Sequence, residues 1–332
     1  MSTDTNTLTL QREPAPASAA GAAASSAGVA APAAGRTPAA GVQPPLLAEL
    51  HRAVAERLGP ELDALRVERA VLGLFFTGVK LVNGVGGLCA TPIRSVPEAV
   101  CCPSSARAMP TPGKLAGKPV RELLDDLYRG LDLRRALAIA TLNALAETLW
   151  QRDGLAPGVV QHEGDAFEEL DIPAGARVAL VGAFPPYMRE LRRRHQPFNV
   201  LEMDPATLKP DEMPYYVPAD RAPEVVPHAD VFITTGTALV NGSLDGLLHL
   251  LRPGAEAAVV GPTATLFTPP YVRRGVTVLG GTRVTDPDTL LEMLAEGGSG
   301  YHFFEKSVTR VTLRLAAGAA TRRGPASTPT DS

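Results

Sequence analysis

The stretch RVALVGAFPPY, residues 177–187, decides how this sequence is expected to fold. Its first part is a short apolar run that ends at Gly182, and prolines follow at once, which is typical of a buried strand that runs into a loop. Similar runs recur later in the chain, at 199–203, 231–234, 257–261 and 276–280. A loop and a segment with helical spacing follow each run. This alternation predicts a parallel sheet with crossover helices, that is, a Rossmann-like α/β domain over residues 160–315.

The chain before this stretch follows another order, with strands first and long helices afterwards. Apolar residues recur at helical spacing in three segments, 46–58, 120–128 and 133–150. Between the first two segments lie β-rich stretches at 67–82 and 85–93, and Asn83-Gly84 joins them with a pair typical of tight turns. Because strands and helices do not alternate here, we expect a small α+β domain over residues 45–151.

The two ends of the chain have a different composition. Residues 1–44 and 316–332 are rich in alanine, proline, glycine, serine and threonine. Such a mixture buries too little apolar surface to offset the entropy lost on ordering, so we expect both ends to be disordered.

The overall composition narrows the classes of partner. The 32 basic and 35 acidic residues nearly cancel, which argues against a nucleic-acid or anionic-membrane surface. No apolar run reaches the roughly 20 residues of a membrane-spanning helix, and the first residues lack a signal-peptide pattern. Three cysteines, Cys89, Cys101 and Cys102, are too few for a disulfide framework. We expect a cytoplasmic protein with a small-molecule partner, no nucleic acid and no membrane. Whether the protein forms a homo-oligomer stays open.

The loop after the first Rossmann-like strand argues against a dinucleotide site. Such a site needs G-x-G-x-x-G, whereas only Gly182 is present, and Pro185 and Pro186 lack N–H groups that could hold phosphate. Glu202 lies twenty positions after Gly182, where many nucleoside-binding folds place an acid on the ribose hydroxyls. It is equally well explained as a solvated acid at a strand end.

Small hydroxyl residues and glycine follow the third and fourth strands. Thr235, Gly236, Thr237 and Asn241 come after one of them, and 261–263 (Gly-Pro-Thr) after the next. Helix capping explains one such residue, but not all of them. Since neighbouring parallel strands end at the same crevice, a ligand site is the favoured interpretation.

The N-terminal segments hold further candidates. Asn143, inside an apolar helical segment, either bonds a neighbouring backbone group or faces a cleft. Cys101 and Cys102 together with Cys89 could hold a soft metal, although a strand cysteine is more often a small buried hydrophobe. The histidines form no metal-binding cluster.

Several phrases together resemble a known family. They are GLCATP from Gly87, GKPVRELL from Gly117, TLNAL from Thr141, VGAFPP from Val181, TGTALVNG from Thr235 and GPTA from Gly261. The chain is similar to prokaryotic proteins described as "putative heavy-metal chelation", in which a Rossmann-like domain follows an enolase N-terminal-like domain. The resemblance covers residues 46–315.

The resemblance implies a ligand site at the junction of the two domains, suited to a metal or a metal complex, with a divalent or heavy-metal ion as cofactor. Carried over by position, the ligand-binding residues are Gly87, Thr91, Asn143, Gly182, Phe184, Glu202, Thr235, Gly236, Thr237, Asn241, Asp245, Gly261, Pro262 and Thr263. The leading hypothesis is a protein that binds a small anionic ligand or metal complex in this interdomain cleft. The alternative is an enzyme with a nucleoside cofactor such as S-adenosylmethionine, with Glu202 on the ribose. Whether any reaction is catalysed stays open.

Overall fold

The structure is a computed structural model that describes residues 45–93, 111–129 and 132–315. The expectations about residues 1–44, about residues 316–332 and about Cys101 and Cys102 lie outside these ranges.

A large, mostly parallel sheet forms the C-terminal part of the protein, residues 159–315. Its strands are β4 (Val159–His162), β5 (Val178–Val181), β6 (Phe198–Glu202), β7 (Tyr216–Pro218), β8 (Val231–Thr235), β9 (Glu256–Val260), β10 (Val278–Val284) and β11 (Val308–Leu315). They lie in the order β4-β11-β10-β9-β8-β5-β6-β7. The strands from β10 to β7 are parallel to one another, while β11 is antiparallel to both β10 and β4.

Helices cover both faces of this sheet. They include α5 (Pro185–Arg193), α6 (Ala222–Val225), α7 (Leu244–His249) and α8 (Pro269–Val272). Helix α9 (Pro287–Ala295) instead packs against the strands within residues 67–81, and α10 (Gly300–Phe303) contacts α9. On one face, Met188 and Leu191 of α5 pack against Leu180 and Val200 of the sheet. On the other, Leu244 and Leu248 of α7 belong to the larger core of the molecule. A sheet that is buried on both faces explains why its strands read as continuous apolar runs.

The N-terminal part, residues 45–153, contains a small antiparallel sheet. Its strands are β1 (Val67–Leu72), β2 (Phe76–Leu81) and β3 (Gly86–Ala90), in the order β1-β2-β3. Its helices are α1 (Leu46–Leu58), α2 (Glu61–Ala64), α3 (Val120–Leu124) and α4 (Asp132–Asp153). The turn predicted at Asn83-Gly84 joins β2 to β3, with the N–H of Gly84 bonded to the carbonyl of Leu81 at 2.8 Å.

The fold class predicted from the sequence is confirmed, because a mostly parallel Rossmann-like sheet follows a small α+β part. Three strands were not predicted, namely β4, β7 and β11. The first two have only four and three residues, and β11 (VTRVTLRL) mixes exposed and buried positions instead of forming one apolar run. The β-rich stretch predicted at 67–82 divides into β1 and β2, and β2 passes without a break through Thr77.

The two parts share one apolar core. Leu50 of α1 and Leu145 of α4 belong to the same cluster of buried side chains as Phe232 of β8 and Leu279 of β10. The N-terminal part therefore packs directly against one side of the large sheet. None of the described helices combines the length and apolar character needed to cross a membrane.

Candidate functional site

A crevice of about 430 Å³ opens at the carboxyl ends of β5, β6 and β8. In the sheet, β6 lies on one side of β5 and β8 lies on the other. The order of the strands therefore reverses at β5, where the crevice opens. Open α/β sheets bind their ligands at such a point, and the volume is in the range of small-molecule sites. Six of the residues expected to bind a ligand line it: Gly182, Phe184, Glu202, Thr235, Thr237 and Asn241.

Glu202, the last residue of β6, provides the carboxylate of the crevice. Its Oε1 accepts hydrogen bonds from the backbone N–H groups of Met203, at 2.8 Å, and Asp204, at 3.4 Å. Both bonds use the same oxygen and both are local, so they fix the side chain at the strand end. A carboxylate has about four acceptor positions, which leaves capacity for two hydroxyl donors of a ligand.

Hydroxyl and amide groups form the side of the crevice next to β8. Thr235 Oγ1 accepts the N–H of Thr237 at 3.3 Å and donates to Thr237 Oγ1 at 3.2 Å, so it caps the short 3-10 turn that follows the strand. Asn241 Oδ1 accepts the N–H and the hydroxyl of Ser243, at 3.0 and 2.7 Å. These groups thus shape two turns and line the crevice at the same time. The amide nitrogen of Asn241 keeps its donor capacity for a ligand.

The charge of the crevice is set by Glu202. Among the described residues that line it, there is no lysine, arginine or histidine. Pro185 and Pro186 occupy the first two positions of α5, so this helix start lacks two of the N–H groups that bind oxyanions elsewhere. The crevice therefore favours a neutral or cationic ligand with hydroxyl groups. It does not suit the anionic ligand expected from the sequence.

Phe184 gives the crevice an aromatic wall. The ring of Phe184 stacks on that of Tyr187, with centroids 5.2 Å apart and an interplanar angle of 8°. Burial, together with a hydrogen bond to the Asp165 carboxylate, raises the pKa of Tyr187 above its usual value. The phenol therefore stays protonated and acts as a donor at neutral pH. Neither Tyr187 nor Asp165 belongs to a strand-end motif, so neither was predicted as a site residue.

Other residues of the predicted site lie at the contact between the two parts and have structural roles. Asn143 Nδ2 donates to the carbonyl of Leu88 at 2.8 Å and to that of Thr263 at 3.3 Å, and Asn143 Oδ1 accepts the hydroxyl of Thr265 at 2.6 Å. Thr263 Oγ1 accepts the backbone N–H of Ala90 at 3.0 Å. The cavity beside Asn143 measures about 10 Å³, room for about one water molecule.

Two glycines of the predicted site are required by close packing. A Cβ on Gly87 would lie 2.0 Å from the carbonyl oxygen of Ala140, so glycine allows β3 to lie against α4. A Cβ on Gly236 would lie 2.7 Å from the backbone nitrogen of Ala264, so glycine allows the loops after β8 and β9 to touch. Close packing explains the glycine at both positions without a bound ligand.

Two more predicted residues are engaged away from the crevice. Thr91 Oγ1 donates to the carbonyl of Gly73 at 2.9 Å and lies 2.9 Å from Thr77 Oγ1, which ties the end of β3 to the loop after β1. Asp245 Oδ1 accepts Arg274 Nε at 2.8 Å and the N–H of Leu46 at 3.1 Å, so it anchors the start of α1. The remaining two, Gly261 and Pro262, line a separate small pocket.

Comparison with known proteins supports one family. Two family models, both described as "Putative heavy-metal chelation", match residues 55–146 (DUF4213) and 165–313 (DUF364). The chain belongs to this heavy-metal chelation family. No curated protein matches it.

Two solved structures of the family share its fold. One is a protein of unknown function from the DUF364 family of Pyrococcus horikoshii, with a TM-score of 0.63 and 20% identity over 81% of this chain and 100% of that one. The other is a DUF364 protein of unknown function from Desulfitobacterium hafniense DCB-2, with a TM-score of 0.60 and 20% identity over 81% and 98% of the two chains. At this identity the likeness shows the fold alone.

The described residues do not fit the site of a heavy metal. Within residues 45–93, 111–129 and 132–315, no three histidine, cysteine, aspartate or glutamate side chains come together as metal ligands. Burial raises the pKa of Cys89 to about 12, against which a hydrogen bond with Thr263 acts only weakly, so its thiol is neutral at physiological pH. Soft metals bind the thiolate form. The roles suggested for Cys101 and Cys102 lie outside the described residues.

Proposed function

We propose that this protein binds a small, neutral or cationic nucleoside-type molecule in the crevice at the ends of β5, β6 and β8. The observation that carries the proposal is the position of Glu202. It ends the strand next to β5, lines the crevice, and keeps acceptor capacity on its carboxylate. A vicinal diol presents two donors to such a group, as the ribose of a nucleoside does.

The remaining groups of the crevice support the same class of ligand. Phe184 offers an aromatic face, and Asn241 and Thr237 offer a small number of polar contacts, the usual composition of a small-molecule pocket. The absence of a cation among the described lining residues disfavours di- and triphosphates, which need charge compensation. A nucleoside without phosphates, such as an adenosyl cofactor, has a base that can stack on Phe184 and needs no cation in the crevice.

Thermal-shift measurements on the full chain test this proposal. We expect adenosine, 5′-methylthioadenosine and S-adenosylhomocysteine to raise the melting temperature in a concentration-dependent way. A ligand at a hundredfold excess over its Kd stabilises by about 2.7 kcal/mol. ATP and NAD⁺ should give smaller shifts at equal concentration. If no nucleoside changes the melting temperature at millimolar concentration, the proposal fails.

The family description supports a second candidate, the binding of a metal that a small molecule already holds. Glu202 and Thr237 offer oxygen atoms, which could complete the coordination of a divalent cation, and the amide nitrogen of Asn241 could donate to its chelator. The neutral zinc–histidine complex and zinc ions alone distinguish this candidate from the first. A shift with the chelate, none with the free ion and none with nucleosides would favour the metal complex.

A further inference from the structure

A second pocket, of about 150 Å³, lies at the carboxyl end of β9 and beside residues 280–282 of β10. The loop after β9, the loop after β4 and residues 310–312 of β11 also line it. The residues that matter for its chemistry are Gly164, Asp165, Gly261, Pro262, Thr282 and Arg310. Its volume suits a group of a few heavy atoms rather than a whole nucleoside.

The second pocket lies beside the crevice. Thr235 at the end of β8 lines the crevice, and its partner in the parallel ladder, Val260 of β9, lines the second pocket. Neighbouring strands are about 4.8 Å apart. A ligand that occupies the crevice therefore needs to extend by only a few bonds to enter the second pocket.

Arg310 brings a positive charge to one wall. It is paired with Thr282 across β10 and β11, and both residues line the pocket. Its guanidinium carbon lies 3.9 Å from the centroid of the Phe304 ring, which holds the group in place. Its contact with Glu305, at 3.2 Å, joins side chains that are 52% and 75% exposed, so that ion pair contributes little. Most of the five guanidinium donors remain for a ligand.

Asp165 brings a negative charge to the same pocket. Its Oδ1 accepts the N–H of Phe167 at 2.9 Å, and its carboxylate accepts the hydroxyl of the buried Tyr187. These bonds orient the group and leave about two of its four acceptor positions. The Glu168 carboxylate, which approaches Gly164, adds to the negative potential on this side.

We propose that the second pocket binds an α-amino acid group, with its carboxylate on Arg310 and its ammonium on Asp165. Arginine suits a carboxylate because two parallel N–H donors match its two oxygens. An ammonium is a compact donor that pairs with a carboxylate such as that of Asp165. The amino acid is either free or the end of a longer ligand. The case of a longer ligand rests on the proposed function, since the nucleoside part of that ligand would occupy the crevice.

Calorimetric titrations of the full chain with three probes test this proposal. S-adenosylhomocysteine and 5′-methylthioadenosine share the nucleoside and differ in the amino acid group, and free alanine carries the amino acid group alone. We expect the first to bind at least tenfold more tightly than the second. Arg310→Gln and Asp165→Asn should each remove this advantage and leave the affinity for 5′-methylthioadenosine unchanged. Glu305→Gln, next to Arg310 on the surface, is the matched control and should change neither affinity.

The outcomes separate this pocket from the crevice. If the two nucleosides bind equally well to the unsubstituted protein, or if both variants weaken both nucleosides alike, the pocket does not recognise an amino acid. If nucleosides fail to bind but alanine binds and Arg310→Gln abolishes its binding, the pocket is supported and the proposed function is not. Binding of none of the three probes would overturn the inference. Unchanged melting temperatures establish that the variants are folded.

Discussion

Asn143 and Thr265 are joined by a 2.6 Å hydrogen bond between helix α4 and the loop after β9. The same amide also donates to carbonyl groups on both sides of the contact, those of Leu88 and Thr263. With its donors and acceptor thus engaged, Asn143 holds the N-terminal part against the large sheet. The ligand crevice lies at the ends of β5, β6 and β8, where none of the described residues of the N-terminal part lines it.

Replacing Asn143 with leucine should destabilise the protein without affecting nucleoside binding. The change leaves two carbonyl groups and a hydroxyl unpaired at a buried contact, and each buried unpaired group costs about 1–3 kcal/mol. We expect a loss of at least about 2 kcal/mol in the free energy of unfolding, measured by urea denaturation. Asn199→Ala, at an exposed amide on β6, should have little effect. A large loss of ligand affinity in a folded Asn143→Leu protein would instead assign Asn143 to the ligand site.

Replacing Gly87 with alanine should be strongly destabilising. The new Cβ would lie 2.0 Å from the carbonyl oxygen of Ala140 and 2.5 Å from the nitrogen of Ala144, both backbone atoms of α4. Overpacking of this kind costs about 1–3 kcal/mol or more. Gly246→Ala, on α7 with no atom within 4 Å of the new Cβ, is the control and should be neutral or slightly stabilising. Equal melting temperatures for the two variants would contradict the close approach of β3 to α4.

Glu49 should make stability depend on pH in the acid range. Burial alone would raise its pKa, but hydrogen bonds from Arg274 and Arg273 outweigh burial, and the pKa lies below 4.5. A carboxyl group whose pKa is lowered by folding stabilises the fold at pH values above its pKa in the unfolded chain. This contribution is lost as the pH falls below about 4.5. The side chains of Glu49 and Arg274 are only 7% and 2% exposed. Glu49→Gln should therefore cost about 3 kcal/mol at pH 7.

Denaturation curves at pH 7 and pH 4 measure this effect. The unsubstituted protein should lose more stability between the two pH values than Glu49→Gln does. Glu56→Gln, on the exposed side of the same helix, should behave like the unsubstituted protein. If the unsubstituted protein and Glu49→Gln lose the same stability between pH 7 and pH 4, another group causes the acid dependence.

Cys89 should be inert toward thiol reagents and metals in the folded protein. Its side chain is fully buried and burial raises its pKa to about 12, so the reactive thiolate is scarce at pH 7. In the double variant Cys101→Ser/Cys102→Ser, Ellman's reagent should label no thiol before denaturation and one thiol afterwards. Cadmium binding to Cys89 in this folded variant would contradict the buried, neutral state of the thiol.

The sequence predicts most of this fold because its strands are buried on both faces. Five of the six parallel strands were recognised from apolar runs, and α1 was placed at the observed bounds, Leu46–Leu58. The antiparallel strand β11 has an irregular alternation of exposed and buried residues, and the edge strands β4 and β7 are too short to form a pattern.

The site was harder to predict because strand-end glycines, asparagines and threonines have the same sequence signature in two roles. Glu202 and Thr237 line the crevice, whereas Gly236, between them and only one residue from Thr237, is a packing glycine. Arg310 lies on a strand that was not recognised, so its place beside the strand ends could not be inferred. Only tertiary contacts separate residues that hold the two parts together from residues that face open space.

The most direct test of the account is a calorimetric titration of adenosine and 2′,3′-dideoxyadenosine into the unsubstituted protein and into Glu202→Gln. We predict that adenosine binds the unsubstituted protein roughly 10- to 100-fold more tightly than the dideoxy compound, since hydrogen bonds to a charged group contribute about 1.5–3 kcal/mol. Glu202→Gln should lose this preference, while Glu292→Gln, at an exposed acid on α9, should keep it. Equal affinities for the two nucleosides in the unsubstituted protein, or a preference that survives in Glu202→Gln, would contradict the assignment of the crevice.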